Sequence, residues 1–405
     1  MRVLVSAVGT RGDVQPAVAV ALEVRRLGHD VWLCVSPNFV EWVRELGVKA
    51  TPVGVEMRYR RSGAASSAPA TAPTAKQLIS DQFDAVGSAA KGCDVLLGAG
   101  GHQYAARSIA EVNGIAYVNA VYAPVSLPSP DHAPAPALGQ AWEVGQPADN
   151  QQRWLDDAKV WNDRALEPIN RNRERLGLRP VDDVHAHIRT DHPWLAADPT
   201  LAPLPRTPAM QVLQTGAWIL TDSRPLPSEL EDFLEHGEPP IYLGFGSMPA
   251  SQNTSRTLID AARAVGRRAI LSQGWAELGL IDDVPDAIAI GDVNHQALFP
   301  RVAAVVHHGG AGTTTVAARA AAPQVVAPMF SDQFYWAKRT RALGIGAPPP
   351  PGPLTTDALA AALHDALRPA IAEHARSVAA AIVIDGAVTA ARRLLAEPKT
   401  AAPAG

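Results

Sequence analysis

Val305-Val306-His307-His308-Gly309-Gly310-Ala311-Gly312-Thr313-Thr314-Thr315-Val316 joins an apolar strand, a glycine-rich turn and a helix that starts among hydroxyl side chains. Strands buried on both faces read as unbroken apolar runs, so this order is the strand–helix unit of a parallel α/β sheet. The first N–H groups of such a helix have no partner in the helix and sit at its positive end, which favours an anion. The glycines let a ligand approach the backbone, and His308 and Thr313 add hydrogen-bond donors for phosphate oxygens. A bare turn of this kind is as readily structural, with a threonine cap and satisfied histidines. Two adjacent histidines and three threonines weigh against that here. No Lys follows the glycines, and the Gly-x-Gly-x-x-Gly order with its acidic ribose partner is missing. Neither the triphosphate P-loop nor the dinucleotide fingerprint therefore applies.

The same alternation extends in both directions. Apolar strands are expected at 241–246, 268–272, 287–291, 303–307 and 324–328, with helices at 254–265, 313–321 and near 332–342, and C-terminal helices to about 396. Nearer the N-terminus, an apolar run at 2–8 leads through the turn Gly9-Thr10-Arg11-Gly12-Asp13 into a helix opened by Pro16 and closed by Gly28. Strands at 31–35, 48–53, 94–99 and 115–122 and helices at 39–46, 76–91 and 103–112 follow, then two helical segments between 151 and 177. The low-complexity stretch 62–75 and the proline-studded stretch 124–147 read as surface loops. The fold expected is two Rossmann-like, doubly wound α/β domains facing a central cleft. They would occupy 1–215 and 241–380, with a proline-bearing linker at 216–240 and a C-terminal helix and tail at 381–405. Ligands of such sheets bind outside the carboxyl ends of the strands, which places the site between the domains.

Several side chains follow those strand ends. Asp13 would face the cleft and could take a proton from an incoming hydroxyl, although its spacing suits a helix cap equally. Gly244-Phe245-Gly246-Ser247 offers a hydroxyl, and Asp292-Val293-Asn294-His295-Gln296 a backbone able to read a base edge. The acid–amide pair Asp332-Gln333 suits sugar hydroxyls, and Trp275 could line a nucleotide pocket. Taken singly each is more often a turn or a cap. Together they follow successive strand ends of one domain. Trp154, Trp161, Trp194 and Trp218 read as core or acceptor-cleft packing, and the pairs Asp156-Asp157, Asp182-Asp183 and Asp282-Asp283 as solvated faces or caps.

Composition narrows the function. The chain has 405 residues, 47% of them hydrophobic, enough for two cores. Thirty-six basic against 40 acidic side chains give a charge of −4, which lacks the basic footprint of a nucleic-acid binder. Two cysteines without Cys-x-x-Cys exclude a disulfide framework and a cysteine-rich zinc site. Asp-x-Asp, His-Glu-x-x-His and Gly-x-Ser-x-Gly do not occur, so no bound metal and no α/β-hydrolase is expected. With no signal peptide and no membrane-length apolar run, a soluble cytoplasmic protein is expected.

The order of the motifs at 9–13, 244–247, 293–296, 307–313 and 332–333 resembles family-1 glycosyltransferases of the GT-B fold over essentially the whole chain. The stretches Thr190-Asp191-His192-Pro193-Trp194-Leu195-Ala196-Ala197-Asp198-Pro199 and Gln214-Thr215-Gly216-Ala217-Trp218-Ile219-Leu220 are similar to the bacterial group that decorates vancomycin-type glycopeptide antibiotics. The resemblance implies inverting transfer without a metal or other cofactor. The co-substrate would be a nucleotide diphosphate sugar, UDP-glucose or a TDP-deoxysugar, and the acceptor a natural-product aglycone. By it, Asp13 is the general base, and Ser247, His308, Gly309, Gly310, Gly312 and Thr313 hold the pyrophosphate. Val293 meets the base, Asp332 and Gln333 the sugar, and Thr10, Arg11, Gly12 and Trp275 line the donor side. A monomer with no nucleic-acid partner is expected. The other readings on this scaffold are a nucleotide-sugar epimerase and a non-catalytic auxiliary partner.

Overall fold

Parallel strands form where the apolar runs are unbroken. The computed structural model describes residues 1–57, 74–136, 147–248, 253–275, 277–350 and 352–396. The N-terminal lobe holds a seven-stranded sheet: β1 (Arg2–Ala7), β2 (Asp30–Val35), β3 (Lys49–Pro52), β4 (Val95–Ala99), β5 (Ala116–Val121), β6 (Trp194–Leu195) and β7 (Leu213–Gln214). They lie in the order β3-β2-β1-β4-β5-β6-β7, every pairing parallel. The C-terminal lobe holds β8 (Ile241–Gly244), β9 (Ala269–Ser272), β10 (Ala287–Ile290), β11 (Ala304–His307) and β12 (Gln324–Val326), ordered β10-β9-β8-β11-β12 and again parallel.

Alternate residues of each central strand feed different cores, as the pleat demands. Val3 and Val5 join the helix Arg11–Arg26 on one face, and Leu4 joins Ile79, Phe83 and Leu96 on the other. In the second sheet Ile241 and Leu243 face one core while Tyr242 faces another. A further cluster bridges the lobes: Val121, Leu127, Leu195 and Leu201 pack with Ala318, Trp336 and Ile345. The C-terminal helix Gly386–Ala396 returns to the first lobe and buries Ala390, Ala391 and Leu394 in its core.

Strand order fixes the site. Direction of winding reverses between β1 and β4 in one sheet and between β8 and β11 in the other. At such a switch point neighbouring loops part and leave a crevice at the strands' carboxyl ends. The loops there are 8–10 with 100–102 in one lobe and 245–248 with 308–310 in the other.

Four expectations change. The first helix starts at Arg11, not at Pro16, which lies inside it. Thr10 supplies the start signal, since its carbonyl accepts from the N–H groups of Asp13 and Val14 at 3.0 and 3.1 Å. The region read as two helical segments is one helix, Pro147–Arg175, which continues through Pro168. The linker contains a helix of its own, Ser228–Glu235. Two strands of two residues each at one end of the sheet, β6 and β7, were not foreseen. Most of 62–75 and much of 124–147 lie outside the described residues. Among the described residues no helix is long and apolar enough to cross a membrane.

Three buried histidines link the fold to pH. Burial lowers the pKa of His185 to about 2 and of His187 and His307 to about 3. In the unfolded chain they titrate near ~6.5. Below that pH the unfolded state binds more protons, so stability is lost as pH falls from ~6.5 towards the folded values, by up to ~1.4 kcal/mol per pH unit for each ring. Denaturant unfolding should show the midpoint falling between pH 6.5 and 4; a flat midpoint would mean these rings are not buried neutral.

Candidate functional site

The helix Ala311–Arg319 follows β11 with Gly310 at its N-cap and no side chain capping it. The hydroxyls of Thr314 and Thr315 do not serve the site. They donate back to the carbonyls of Gly310 and Ala311 at 2.9 and 2.8 Å. Thr313 makes no side-chain hydrogen bond among the described residues, and Gly312 faces open space. The helix end therefore presents the Ala311, Gly312 and Thr313 N–H groups with one free hydroxyl, the arrangement that binds oxyanions.

The adjacent histidines divide their work. His307 is fully buried; its Nδ1 accepts from Gly309 N–H at 3.1 Å and its Nε2 pairs with Gln324 Oε1 at 2.9 Å. It is a strut that fixes the turn. His308 turns the other way, its Nε2 above Gly310, where a Cβ would come within 2.7 Å. Nδ1 of His308 is buried without a hydrogen-bond partner, and burial lowers its pKa to about 4. A neutral imidazole thus stands over the helix end with neither nitrogen hydrogen-bonded among the described residues. Gly309 permits the turn: its φ is +95°, and a Cβ would lie 2.8 Å from Val326 and 3.0 Å from the Gln333 carbonyl. Gly309→Ala should destabilise the chain by ~1–3 kcal/mol through strain and overlap. An unfolding midpoint equal to wild type would show that the turn is not so constrained.

Ser247 lies in the tight turn after β8, half-buried and without a side-chain hydrogen bond among the described residues. Val293 is buried after β10, and its backbone N–H and carbonyl make no hydrogen bond among the described residues. Its neighbours are structural. Asn294 caps the next helix and donates to the carbonyls of Asp222 and Arg224, and Gln296 donates to Leu220.

Asp13 is the third residue of its helix. Its Oδ2 accepts from Thr10 N–H at 2.7 Å and from the Thr10 hydroxyl at 3.2 Å. It does cap, yet capping occupies one oxygen only, so a cap and a cleft-facing carboxylate are compatible. Tyr122 fixes the turn by donating to the Asp13 carbonyl at 2.8 Å. Burial raises the pKa of Asp13, against the opposing pull of His102 and the Thr10 hydrogen bonds. A carboxylate of raised proton affinity is a stronger base.

Asp332 approaches from the other lobe. Trp336 Nε1 donates to its Oδ2 at 3.0 Å. Burial pushes its pKa up to about 6, and the charge of Asp13 adds to the rise. The two carboxylates, one from each lobe, are thus near enough for the charge of one to act on the other. Ser331, beside Asp332, holds a left-handed φ of 57° and donates its N–H to the carbonyl of Pro136 in the opposite lobe at 3.0 Å. Strain of this kind collects at sites the surroundings hold in place.

Four expected residues are engaged within the protein. Gln333 is buried, its Oε1 accepting from Met329 and Phe330 N–H at 2.8 and 3.2 Å and its Nε2 against Met248 sulfur. It shapes the turn that carries Asp332 and offers no free acceptor to a sugar. Trp275 stacks on Phe39 of the first lobe at 6.1 Å and 22°. Arg11 also spans the lobes, pairing with Asp292 at 3.4 Å and lying 4.9 Å over Trp42. Thr10 holds Asp13, and Gly12 is exposed beside it.

His102 was missed. It follows β4 at the switch point, its proton affinity raised by the charge of Asp13 against the lowering by burial, and its ring stacks on Trp161. The signal lay in Gly100-Gly101-His102 after an apolar strand, once strand order is known. Among the described residues no group of three His, Cys, Asp or Glu side chains could hold a metal ion.

Comparison with known proteins adds the following. Residues 3–128 match the profile described as glycosyltransferase family 28 N-terminal domain, and residues 256–397 that of the erythromycin biosynthesis protein CIII-like C-terminal domain. The chain is 46% identical over 402 residues to a vancomycin aglycone glucosyltransferase of Amycolatopsis orientalis, covering 98% of this chain and 97% of that one. It is 41% identical to a dTDP-epi-vancosaminyltransferase of the same organism, with 93% of each chain covered. Among solved structures, glycosyltransferase VinC in complex with dTDP shares the fold, with a TM-score of 0.66, 21% identity and coverage of 97% of this chain and 99% of that one.

Proposed function

Because this chain belongs to the family-1 GT-B glycosyltransferases of the vancomycin-type glycopeptide group, we propose that it moves a sugar from a nucleotide diphosphate donor to a hydroxyl of a glycopeptide aglycone, inverting the anomeric carbon without a metal. The observation that carries the reading is that Asp13 of one lobe is near enough to Asp332 of the other for their charges to interact, while that second lobe also holds the uncapped Ala311–Arg319 helix with His308 over its end. An in-line displacement needs its base on the face opposite the leaving group. Two lobes across a cleft supply that arrangement.

The nucleotide lies against the second lobe, its base at the Val293 backbone and its diphosphate at the Gly312 and Thr313 N–H groups, the Thr313 and Ser247 hydroxyls and the His308 ring. Asp332 Oδ1 is left for a sugar hydroxyl, since Oδ2 holds Trp336. The acceptor enters from the first lobe with its hydroxyl at Asp13. As the anomeric C–O bond to phosphate breaks, charge grows on the diphosphate where donors are already aimed at it. Preorganised donors of this sort are commonly the largest contribution to catalysis.

Nucleotide release in the presence of UDP-glucose or TDP-deoxysugars and a panel of glycopeptide aglycones, with products read by mass spectrometry, tests the reading. Acceptor-dependent release with a mass gain of one hexose or deoxysugar is expected, the new linkage inverted by NMR. Isomerised donor formed without acceptor would instead establish an epimerase.

A further inference from the structure

Of the two oxygens of Asp13, Oδ2 is held by Thr10. The other, Oδ1, faces the loop after β4: a Cβ placed on Gly100 would lie 3.5 Å from it. Two residues along that loop stands His102. Its ring is stacked on Trp161 at 5.4 Å and 28° and meets Tyr104 edge-on at 6.0 Å. An edge of the ring stays open to the water of the cleft, although the protein around it is dense enough to lower its proton affinity. Because β1 and β4 are the neighbours at which winding reverses, the sheet itself brings these two loops together.

We propose that His102 is a positioning residue that acts through Asp13, carrying the acceptor's proton from that carboxyl group out to the water of the cleft. The inference rests on Asp13 being the base. In the transfer, the acceptor oxygen bonds to the anomeric carbon as its O–H breaks, and the proton goes to the Asp13 carboxylate. The bond from the anomeric carbon to the phosphate oxygen breaks with its electron pair on the diphosphate. Asp13 and His102 share no direct hydrogen bond, so the proton then passes from the Asp13 carboxyl through a water of the cleft to an imidazole nitrogen of His102, and from the imidazolium to bulk water, which restores the carboxylate. No other reactant is needed.

The surroundings suit a transient imidazolium. Desolvation of the ring face packed on Trp161 and the charge of Arg164, on the helix Pro147–Arg175, disfavour a standing positive charge on His102, whereas Asp13 favours it. Tyr104 and Tyr122 also face the pair. Burial keeps both hydroxyls protonated, Tyr104 pushed up to about 12 and Tyr122 well above the usual range. Asp332 is the remaining carboxylate that senses Asp13.

His102→Gln and His102→Ala should lower kcat roughly 10-fold or more, short of the ~10²–10⁴ of a direct general base, with donor KM and nucleotide diphosphate affinity at the wild-type value. Added imidazole should restore turnover in His102→Ala, which a packing role would not allow. Independently of activity, the NMR titration of His102, assigned by its loss in His102→Gln, should move to lower pH in Asp13→Asn, because the carboxylate that favours the imidazolium is gone. Undiminished kcat, failure of imidazole to restore it, or an unmoved titration in Asp13→Asn overturns the relay. A wild-type protein inert with every donor and acceptor would instead overturn the reading on which the relay rests.

Discussion

Asp13→Ala is expected to lower kcat by ~10²–10⁴-fold, the usual contribution of general base catalysis. Nucleotide diphosphate affinity should be unchanged, because the binding groups belong to the other lobe. Asp13→Asn should behave alike, since it keeps the shape but cannot take the proton. An interaction made only in the transition state appears as an equal loss in kcat and kcat/KM. Asp13 also caps the helix Arg11–Arg26 through Thr10 N–H at 2.7 Å, so some stability, ~0.5–2 kcal/mol, should go with the alanine. That loss is too small to unfold a domain of ordinary stability, ~5–15 kcal/mol. Single-turnover kinetics beside a denaturation curve separate the two effects, and near-normal turnover in a folded Asp13→Ala protein would remove Asp13 as the base.

His308→Ala acts on the other half of the site. The imidazole lies over Gly310 with Nδ1 buried and unpartnered, a costly arrangement for a ring that serves the fold alone. A hydrogen bond to a charged group is worth ~1.5–3 kcal/mol, so the variant should bind UDP or TDP ~10–150-fold more weakly. Folding should be little changed, because no hydrogen bond among the described residues is lost. His307→Ala should do the reverse, costing stability first, since its ring bonds Gly309 N–H and Gln324. Calorimetric titration of both variants checks the division of labour; equal affinity in His308→Ala would place the diphosphate elsewhere.

Much of the architecture can be read from the chain because burial on both faces leaves β1, β4, β8 and β11 almost without polar interruption. The second lobe's candidates followed from their position after strand ends. What could not be read has physical causes. β6 and β7 have two residues each, too few for any periodicity. Pro168 breaks a helical pattern on paper, but Pro147–Arg175 is held by packing of residues such as Ala165 and Ile169 into the core. His102 follows two glycines after an apolar strand, a signal that gains meaning only when strand order sets β4 beside β1. Gln333 shows the converse: a polar residue next to Asp332 in sequence points inward, because the turn at 329–330 needs its carboxamide. For Thr313, Thr314 and Thr315, sequence could not say which hydroxyl is free; helix geometry assigns two of them to carbonyls four residues back.

A crystal structure with a nucleotide diphosphate and the acceptor bound measures the central arrangement directly. The account predicts phosphate oxygens at hydrogen-bond distance, ~2.7–3.2 Å, from the Gly312 and Thr313 N–H groups and the His308 ring, with the acceptor hydroxyl against Asp13 on the far side of the anomeric position. A diphosphate bound away from that helix end, or an acceptor hydroxyl that meets a group other than Asp13, would contradict it.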